Sequence, residues 1–191
     1  NGIDSNKFKP TESNLREKYN LVDKKILLGV ASGWQKSKGL PDVIEMSEIL
    51  PDDCVIVLVG HPNEPIPTSE KIINIPATEN IDELVQWYSA ADVFINMSKE
   101  ETFGKVSAEA LMCGTPVVCY NTTANPELVG ENCGYICETE NVVDFKNLVL
   151  KVIENGKDVY TESCIKFAHE NFSTEKNFEA YIKLYEKLFE V

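Results

Sequence analysis

Two glutamates eight residues apart flank a glycine in the stretch Ser98-Lys99-Glu100-Glu101-Thr102-Phe103-Gly104-Lys105-Val106-Ser107-Ala108-Glu109. Gly104 lets the backbone come close to a ligand. If a helix starts there, the free N–H groups around Gly104, Lys105 and Val106 face an anion at the end where the helix dipole favours it. Glu101 lies just before the turn, and Glu109 follows about two helical turns along. A carboxylate accepts from both members of a vicinal diol, such as that of a ribose. The stretch thus offers donors to phosphates and acceptors to sugar hydroxyls. By spacing alone it is equally a strand–loop–helix unit with solvated glutamates.

The flanking patterns place this turn in a parallel α/β sheet. Short apolar runs at Ile26–Ala31, Val55–Val59, Ile72–Ile75, Val93–Asn96 and Val117–Tyr120 are nearly continuous, as strands covered on both faces should be. Helical patterns lie between and after them, at Pro41–Leu50, Ile81–Ala90, Val106–Cys113, Val142–Glu154, Thr161–Asn171 and Thr174–Phe189. Pro41 suits a first helical turn, Asn80 with Glu83 resembles a capping box, and Gly114 suits the position after a helix end. The rhythm predicts an α/β fold, a Rossmann-like open parallel sheet with helices on both faces, whose ligands bind off the carboxyl ends of the strands. Gly60 to Thr68, with Pro62, Pro65 and Pro67, reads as a loop. One domain is expected over residues 1–191, with 1–12 a polar linker and 174–191 a final helix that either packs on the sheet or crosses to another domain.

Composition narrows the partners. The net charge of the 191 residues is −13, which disfavours nucleic acid and anionic membrane surfaces but leaves room for a small local anion site. No apolar run has the length of a membrane span. The six cysteines form no CxxC pair, and the two histidines, His61 and His169, stand apart, so no metal is expected. Cysteines in apolar settings fit a reduced, cytoplasmic protein. The start, Asn1-Gly2-Ile3-Asp4, lacks an initiator methionine and a signal-like pattern, and reads as a piece of a longer chain.

Glu101 and Glu109 match the E-x7-E motif of retaining GT-B glycosyltransferases, family GT4 in particular. Glu-Thr-Phe-Gly and Glu-Ala-Leu-Met-Cys-Gly-Thr-Pro-Val-Val resemble that family's sequence almost position for position. Further similar pieces follow in order along nearly the whole chain. Asn1-Gly2-Ile3-Asp4 with Phe8-Lys9-Pro10 resembles the crossover into the C-terminal domain, and Trp34-Gln35-Lys36-Ser37-Lys38-Gly39 a lysine-bearing loop. Leu58-Val59-Gly60, Pro126-Glu127-Leu128-Val129 and Gly134-Tyr135 resemble later segments. The resemblance implies the C-terminal, donor-binding half of a GT-B enzyme that transfers a sugar from a nucleoside diphosphate sugar without a metal. Its acceptor-binding N-terminal domain lies outside this sequence, so the fragment alone is expected to be inactive. It further implies that Glu109 holds the donor ribose and Glu101 the transferred sugar. Backbone N–H groups from Phe103 to Val106 then meet sugar hydroxyls or diphosphate, and Lys38 neutralises the diphosphate leaving group. The base is expected over the loop after the third strand, near Ile75 and Thr78.

One departure stands out. Many members carry an arginine five or six residues before that lysine, where this chain has Gly33 and Ser32. Lys36 either supplies the second charge or points into solvent, and Gly33 offers no more than backbone approach. The alternatives are a nucleotide-binding module that has lost its chemistry and a GT-B-related nucleotide-sugar epimerase. A dinucleotide-binding domain ranks last, since no G-x-G-x-x-G follows the first strand.

Overall fold

The computed structural model describes residues 2–67 and 69–189. Three features of the sequence fall partly outside this range: Asn1 of the opening motif, Thr68 at the end of the proline-rich loop, and positions 190 and 191 of the expected C-terminal segment.

Six strands form one wholly parallel sheet: β1 Lys25–Trp34, β2 Cys54–Pro62, β3 Ile72–Ile75, β4 Val93–Asn96, β5 Val117–Tyr120 and β6 Gly134–Cys137. Their order across the sheet is β3-β2-β1-β4-β5-β6. Apolar side chains cover both faces. Every residue of β4 and β5 is buried, as is β2 from Cys54 to Gly60. That double burial explains why these segments read as continuous apolar runs.

The helices are α1 Leu15–Lys18, α2 Leu40–Ile49, α3 Ile81–Ala90, α4 Lys105–Met112, α5 Val142–Asn155, α6 Asp158–Phe172 and α7 Thr174–Phe189. Helices α2 and α5 pack together on one face, while α3, α4 and α6, with α1 against α3, form the layer on the other. The α3 start is built from its sequence: Asn80 Oδ1 accepts from the Glu83 N–H at 2.9 Å. The Glu83 carboxylate reaches one residue further back than a capping box requires, accepting from the Glu79 N–H at 2.7 Å. Gly114, at φ 76°, closes α4, with the Thr115 N–H bonded to the Ala110 carbonyl.

Several sequence expectations need correction. The strand β1 runs on to Trp34 through an irregularity between Val30 and Gly33, and β2 runs to Pro62, because Gly33 and Trp34 pair with His61 and Pro62. The expected loop therefore starts three residues late. Strand β6 was not expected: it is an edge strand with Ile136 exposed and only Cys137 buried, so it lacks the continuous apolar run of a strand covered on both faces. The one-turn α1, which buries only Leu15, was not expected either. Helix α6 starts three residues before the expected Thr161.

The polar N-terminal segment is anchored by its few apolar residues. Ile3 and Phe8 are buried, the Ile3 N–H donates to the Phe172 carbonyl, and the Thr174 N–H donates to the Ile3 carbonyl. Helix α7 lies against α6 yet buries none of its own residues. Its stripe of Phe178, Tyr181, Ile182, Tyr185 and Leu188, at helical spacing, is exposed.

Candidate functional site

The sheet order reverses direction between β1 and β4. After β1 the chain turns towards β2, and after β4 it turns towards β5 on the other side. Loops leaving adjacent strands in opposite directions open a crevice at the carboxyl edge, where ligands bind in open parallel sheets. The loop after β1 carries Lys38, and the loop after β4 carries Glu101.

These two loops are laced together. Residues Lys36–Lys38 form one 3-10 turn that ends on Gly39 at φ 74°. A Cβ on Gly39 would lie 2.2 Å from the Met97 carbonyl oxygen, so only glycine lets the β1 loop touch the chain just beyond β4. The Lys99 N–H then donates to the Ser37 carbonyl at 2.9 Å. With the backbones so joined, Lys38 Nζ meets Glu101 Oε1 at 2.7 Å, both side chains being only partly exposed.

A buried polar network shapes the β4 loop from beneath. Asn96, the last residue of β4, donates to Ser107 Oγ and to Asn125 Oδ1, while its own Oδ1 accepts from the Ser98 N–H. The Ser98 carbonyl accepts from Thr122 Oγ1 at 2.8 Å, and the Glu101 N–H donates to Thr123 Oγ1 at 2.8 Å. Thr123 holds a left-handed φ of 43° to reach there. On the α2 side Lys99 bridges Glu140 at 2.6 Å and Asp42 at 3.7 Å, and the buried Tyr120 hydroxyl donates to Asp42 at 2.9 Å. The bond from Glu140 holds the Lys99 ammonium above its usual range, and burial first, then Asp42, pushes the Tyr120 phenol well up.

Helix α4 starts at Gly104, φ 78°, where a Cβ would lie 2.3 Å from Leu128 Cδ1. Glycine offers no side chain to cap the helix, and the first N–H groups, those of Lys105 and Val106, have no intrahelical acceptor. The Phe103 ring turns away onto Phe172, edge to face at 5.8 Å, and Val106 packs partly against the core. What these two residues offer to the crevice is backbone.

Glu109 sits deeper on α4, only 4% exposed. The Tyr88 hydroxyl donates to its Oε2 at 2.8 Å, and Lys105 Nζ lies 3.3 Å from its Oε1. Burial holds the Glu109 carboxyl above the usual range, against the opposing pull of Tyr88 and Lys105. A buried carboxylate flanked by an unliganded helix start can accept hydroxyls next to a bound anion.

The remaining sequence candidates lie on the same edge with less defined surroundings. Lys36 is exposed, its N–H is taken by Glu64 Oε1 at 3.1 Å, and the carboxylate that feels its charge is the exposed Glu140. Gly33 is buried against Asn63, whose side chain fills the space a Cβ would need. Ile75 ends β3 with its side chain in the core, and Thr78 is half-buried in the loop beyond. The sequence reading missed Asn96, Asn125 and Thr123 as shapers of the site. An asparagine closing the apolar run Val93-Phe94-Ile95 was the available signal. Tyr88, buried on α3, was also not among its site residues, although its hydroxyl donates to Glu109. Among the described residues no group of three or more His, Cys, Asp or Glu is placed to hold a metal ion, and no helix is long and apolar enough to cross a membrane.

Comparison with known proteins bears on the same residues. The family profile "Glycosyl transferases group 1" matches residues 11–171, and the chain belongs to that family. It is 25% identical over 190 residues to N-acetyl-alpha-D-glucosaminyl L-malate synthase of Bacillus anthracis, covering 93% of this chain and 50% of the synthase. The chain thus spans half the length of that relative. Its fold is similar to HepE of Anabaena, solved with UDP-glucose: TM-score 0.82, 20% identity, 97% of this chain and 56% of that one. It is also similar to the C-terminal domain of a group 1 glycosyl transferase, LpcC, of Francisella tularensis: TM-score 0.74, 20% identity, 91% of this chain and all of that one.

Proposed function

We propose that this member of the group 1 glycosyl transferases is the donor-binding half of a retaining enzyme that moves a sugar from a nucleoside diphosphate sugar to an acceptor hydroxyl. The observation that carries the reading is the convergence of Lys38, Glu101 and the open start of α4 on one crevice, with Glu109 one helix segment deeper. HepE, a structural neighbour, was solved with UDP-glucose, a ligand of this class.

In this reading the diphosphate lies on the N–H groups from Phe103 to Val106, where the helix dipole favours negative charge. Glu109 accepts the ribose diol, and Glu101 accepts hydroxyls of the transferred sugar. As the sugar–phosphate bond breaks, negative charge grows on the diphosphate, and Lys38, a fixed cation at the crevice, stabilises it more in the transition state than before. No metal is needed for that step. The base rests over the loop at Ile75 and Thr78. Lys36 serves as a second cation only by swinging away from Glu140.

Acceptor groups come from an N-terminal domain that precedes this chain, which agrees with its span of half a relative. The segment 1–12 is the link to that domain, and the exposed stripe of α7 is the surface the domain covers. The six buried cysteines serve as small apolar core residues, which fits the cytoplasm. Nucleic acid and membrane are no partners of this half.

A nucleotide-binding module without transfer is the second reading. It is favoured by Gly33, which carries no charge and whose Cβ position is taken by the Asn63 side chain. Thermal melts with UDP, GDP, ADP and pyrophosphate test the first claim, since a ligand at about 50 times its dissociation constant adds roughly 2.3 kcal/mol. One nucleotide raising the melt more than pyrophosphate supports a donor site; no nucleotide doing so removes it. A nucleotide that binds while the full-length protein transfers nothing selects the second reading.

A further inference from the structure

We propose that Tyr88 is the positioning residue of the donor site, its hydroxyl fixing the Glu109 carboxylate so that both oxygens face the ribose diol. This rests on the donor-site reading above.

The geometry is specific. Tyr88 is fully buried on α3, and its hydroxyl reaches across to α4 and donates to Glu109 Oε2 at 2.8 Å. Its position is set from three sides. The ring meets Phe8 of the N-terminal segment and Phe94 of β4 at centroid distances of 6.2 Å and 5.8 Å, and its carbonyl accepts from Thr115 Oγ1. The hydroxyl occupies one lone pair of Oε2, leaving the second and both of Oε1 for a ligand.

The other partner of Glu109 is exposed by comparison. Lys105 is 65% exposed along its side chain, and it lies on Oε1, where a sugar hydroxyl can displace it. Without the phenol, a buried carboxylate would depend on that one lysine. It would turn about its last bond and hold a proton more readily. A tyrosine with only a packing role has no use for a buried hydroxyl, because desolvating it is unfavourable unless it is bonded. Here the bond is charge-assisted, which makes it stronger than a neutral one. The titratable groups that face Glu109 are Tyr88 from α3 and, on α4 itself, Lys105 and Cys113.

The test is Tyr88→Phe, which removes one oxygen and keeps the ring, with binding of the preferred nucleoside diphosphate and of inorganic pyrophosphate measured across pH. Loss of a hydrogen bond to a charged group predicts about a tenfold fall in nucleotide affinity. Pyrophosphate has no ribose and should bind as before. The acid limb of nucleotide binding should move to higher pH, since burial then acts on Glu109 without the phenol's opposition. On a Glu109→Gln background the same change should add no further loss.

An equal fall for pyrophosphate, an unmoved pH limb, or additive losses would assign Tyr88 to packing and overturn the proposal. In the wild-type chain the slowly exchanging Tyr88 hydroxyl proton should shift in NMR spectra on adding nucleotide but not pyrophosphate, which tests the idea even where the variant does not fold. An unmoved proton overturns it. Wild-type chain with no preference for nucleotide over pyrophosphate instead overturns the donor-site reading beneath it.

Discussion

Lys38 Nζ and Glu101 Oε1 stand 2.7 Å apart although 63 residues separate them in the chain. The pair spans the switch point of the sheet, one residue from each diverging loop. Without a ligand the two charges neutralise each other, as Lys105 and Glu109 do one helix segment away. In the donor complex proposed above, a diphosphate competes with Glu101 for the lysine, and sugar hydroxyls compensate the carboxylate as it is released. Both ion pairs are charge-balanced on their own.

Replacing Lys38 with Met should act mainly on turnover. Removing one fixed group that stabilises charge growing in a transition state costs about 10²- to 10³-fold in kcat. Nucleotide affinity should fall by less, because the N–H groups of α4 remain. Steady-state kinetics of the full-length protein check this, and a Lys38→Met enzyme with normal kcat would exclude the leaving-group role.

Glu109→Gln should separate stability from binding. Burial raises the folded-state value of Glu109 above its unfolded one, so between those two values the folded chain keeps a proton the unfolded chain has lost. Stability from this group falls as pH rises through that window, and the full cost is present at neutral pH. The neutral glutamine avoids it. The variant should melt higher than wild type at pH 7, with the difference shrinking towards pH 4. The nucleotide-induced shift should vanish. A variant that melts lower and still responds to nucleotide contradicts both halves.

At Gly104, substitution by Ala meets two obstacles, the left-handed φ of 78° and Leu128 Cδ1 at 2.3 Å from the added carbon. The backbone conformation alone costs roughly 1–2 kcal/mol in an L-residue. We expect a lower melting temperature and a weakened response to pyrophosphate as well as nucleotide, because the α4 N–H groups move. Calorimetry with both ligands reads this directly.

Lys157 offers a pH test away from the site. Its ammonium donates to the Ser89 carbonyl at 2.6 Å, and burial lowers its pKa to about 8. Unfolding restores the ordinary lysine value, so between about pH 8 and the normal range near 10.4 the unfolded chain holds a proton that the folded chain lacks. This group's contribution to stability therefore improves as pH rises through that window. Buried thiols such as Cys119, pushed up to about 12 by burial, act in the opposite sense and are shared by both proteins. The difference in unfolding free energy between Lys157→Met and wild type should thus favour the variant below pH 8 and shrink above it. A difference flat from pH 7 to 10 would show that Lys157 is not desolvated.

Much of this was readable from the linear chain, because the relevant physics is local. Strands β3, β4 and β5 and helix α3 lie where their apolar periodicity and the Asn80 cap put them. The turn at Gly104, between one carboxylate and another on the following helix, was equally visible, since glycine tolerance, helix-start donors and i-to-i+8 spacing all act within a dozen residues. Strand β6 and α1 were not, because each buries a single residue and so shows neither a continuous apolar run nor a helical stripe. The bonds from Lys38 to Glu101 and from Tyr88 to Glu109, and the Asn96–Asn125 network beneath the loop, depend on contacts between distant segments. Residue types could nominate both glutamates, and the family resemblance Lys38. Only the parallel order of β1 beside β4, set by burial of the sheet on both faces, decided which lysine reaches which carboxylate, and left Lys36 on the side of Glu140.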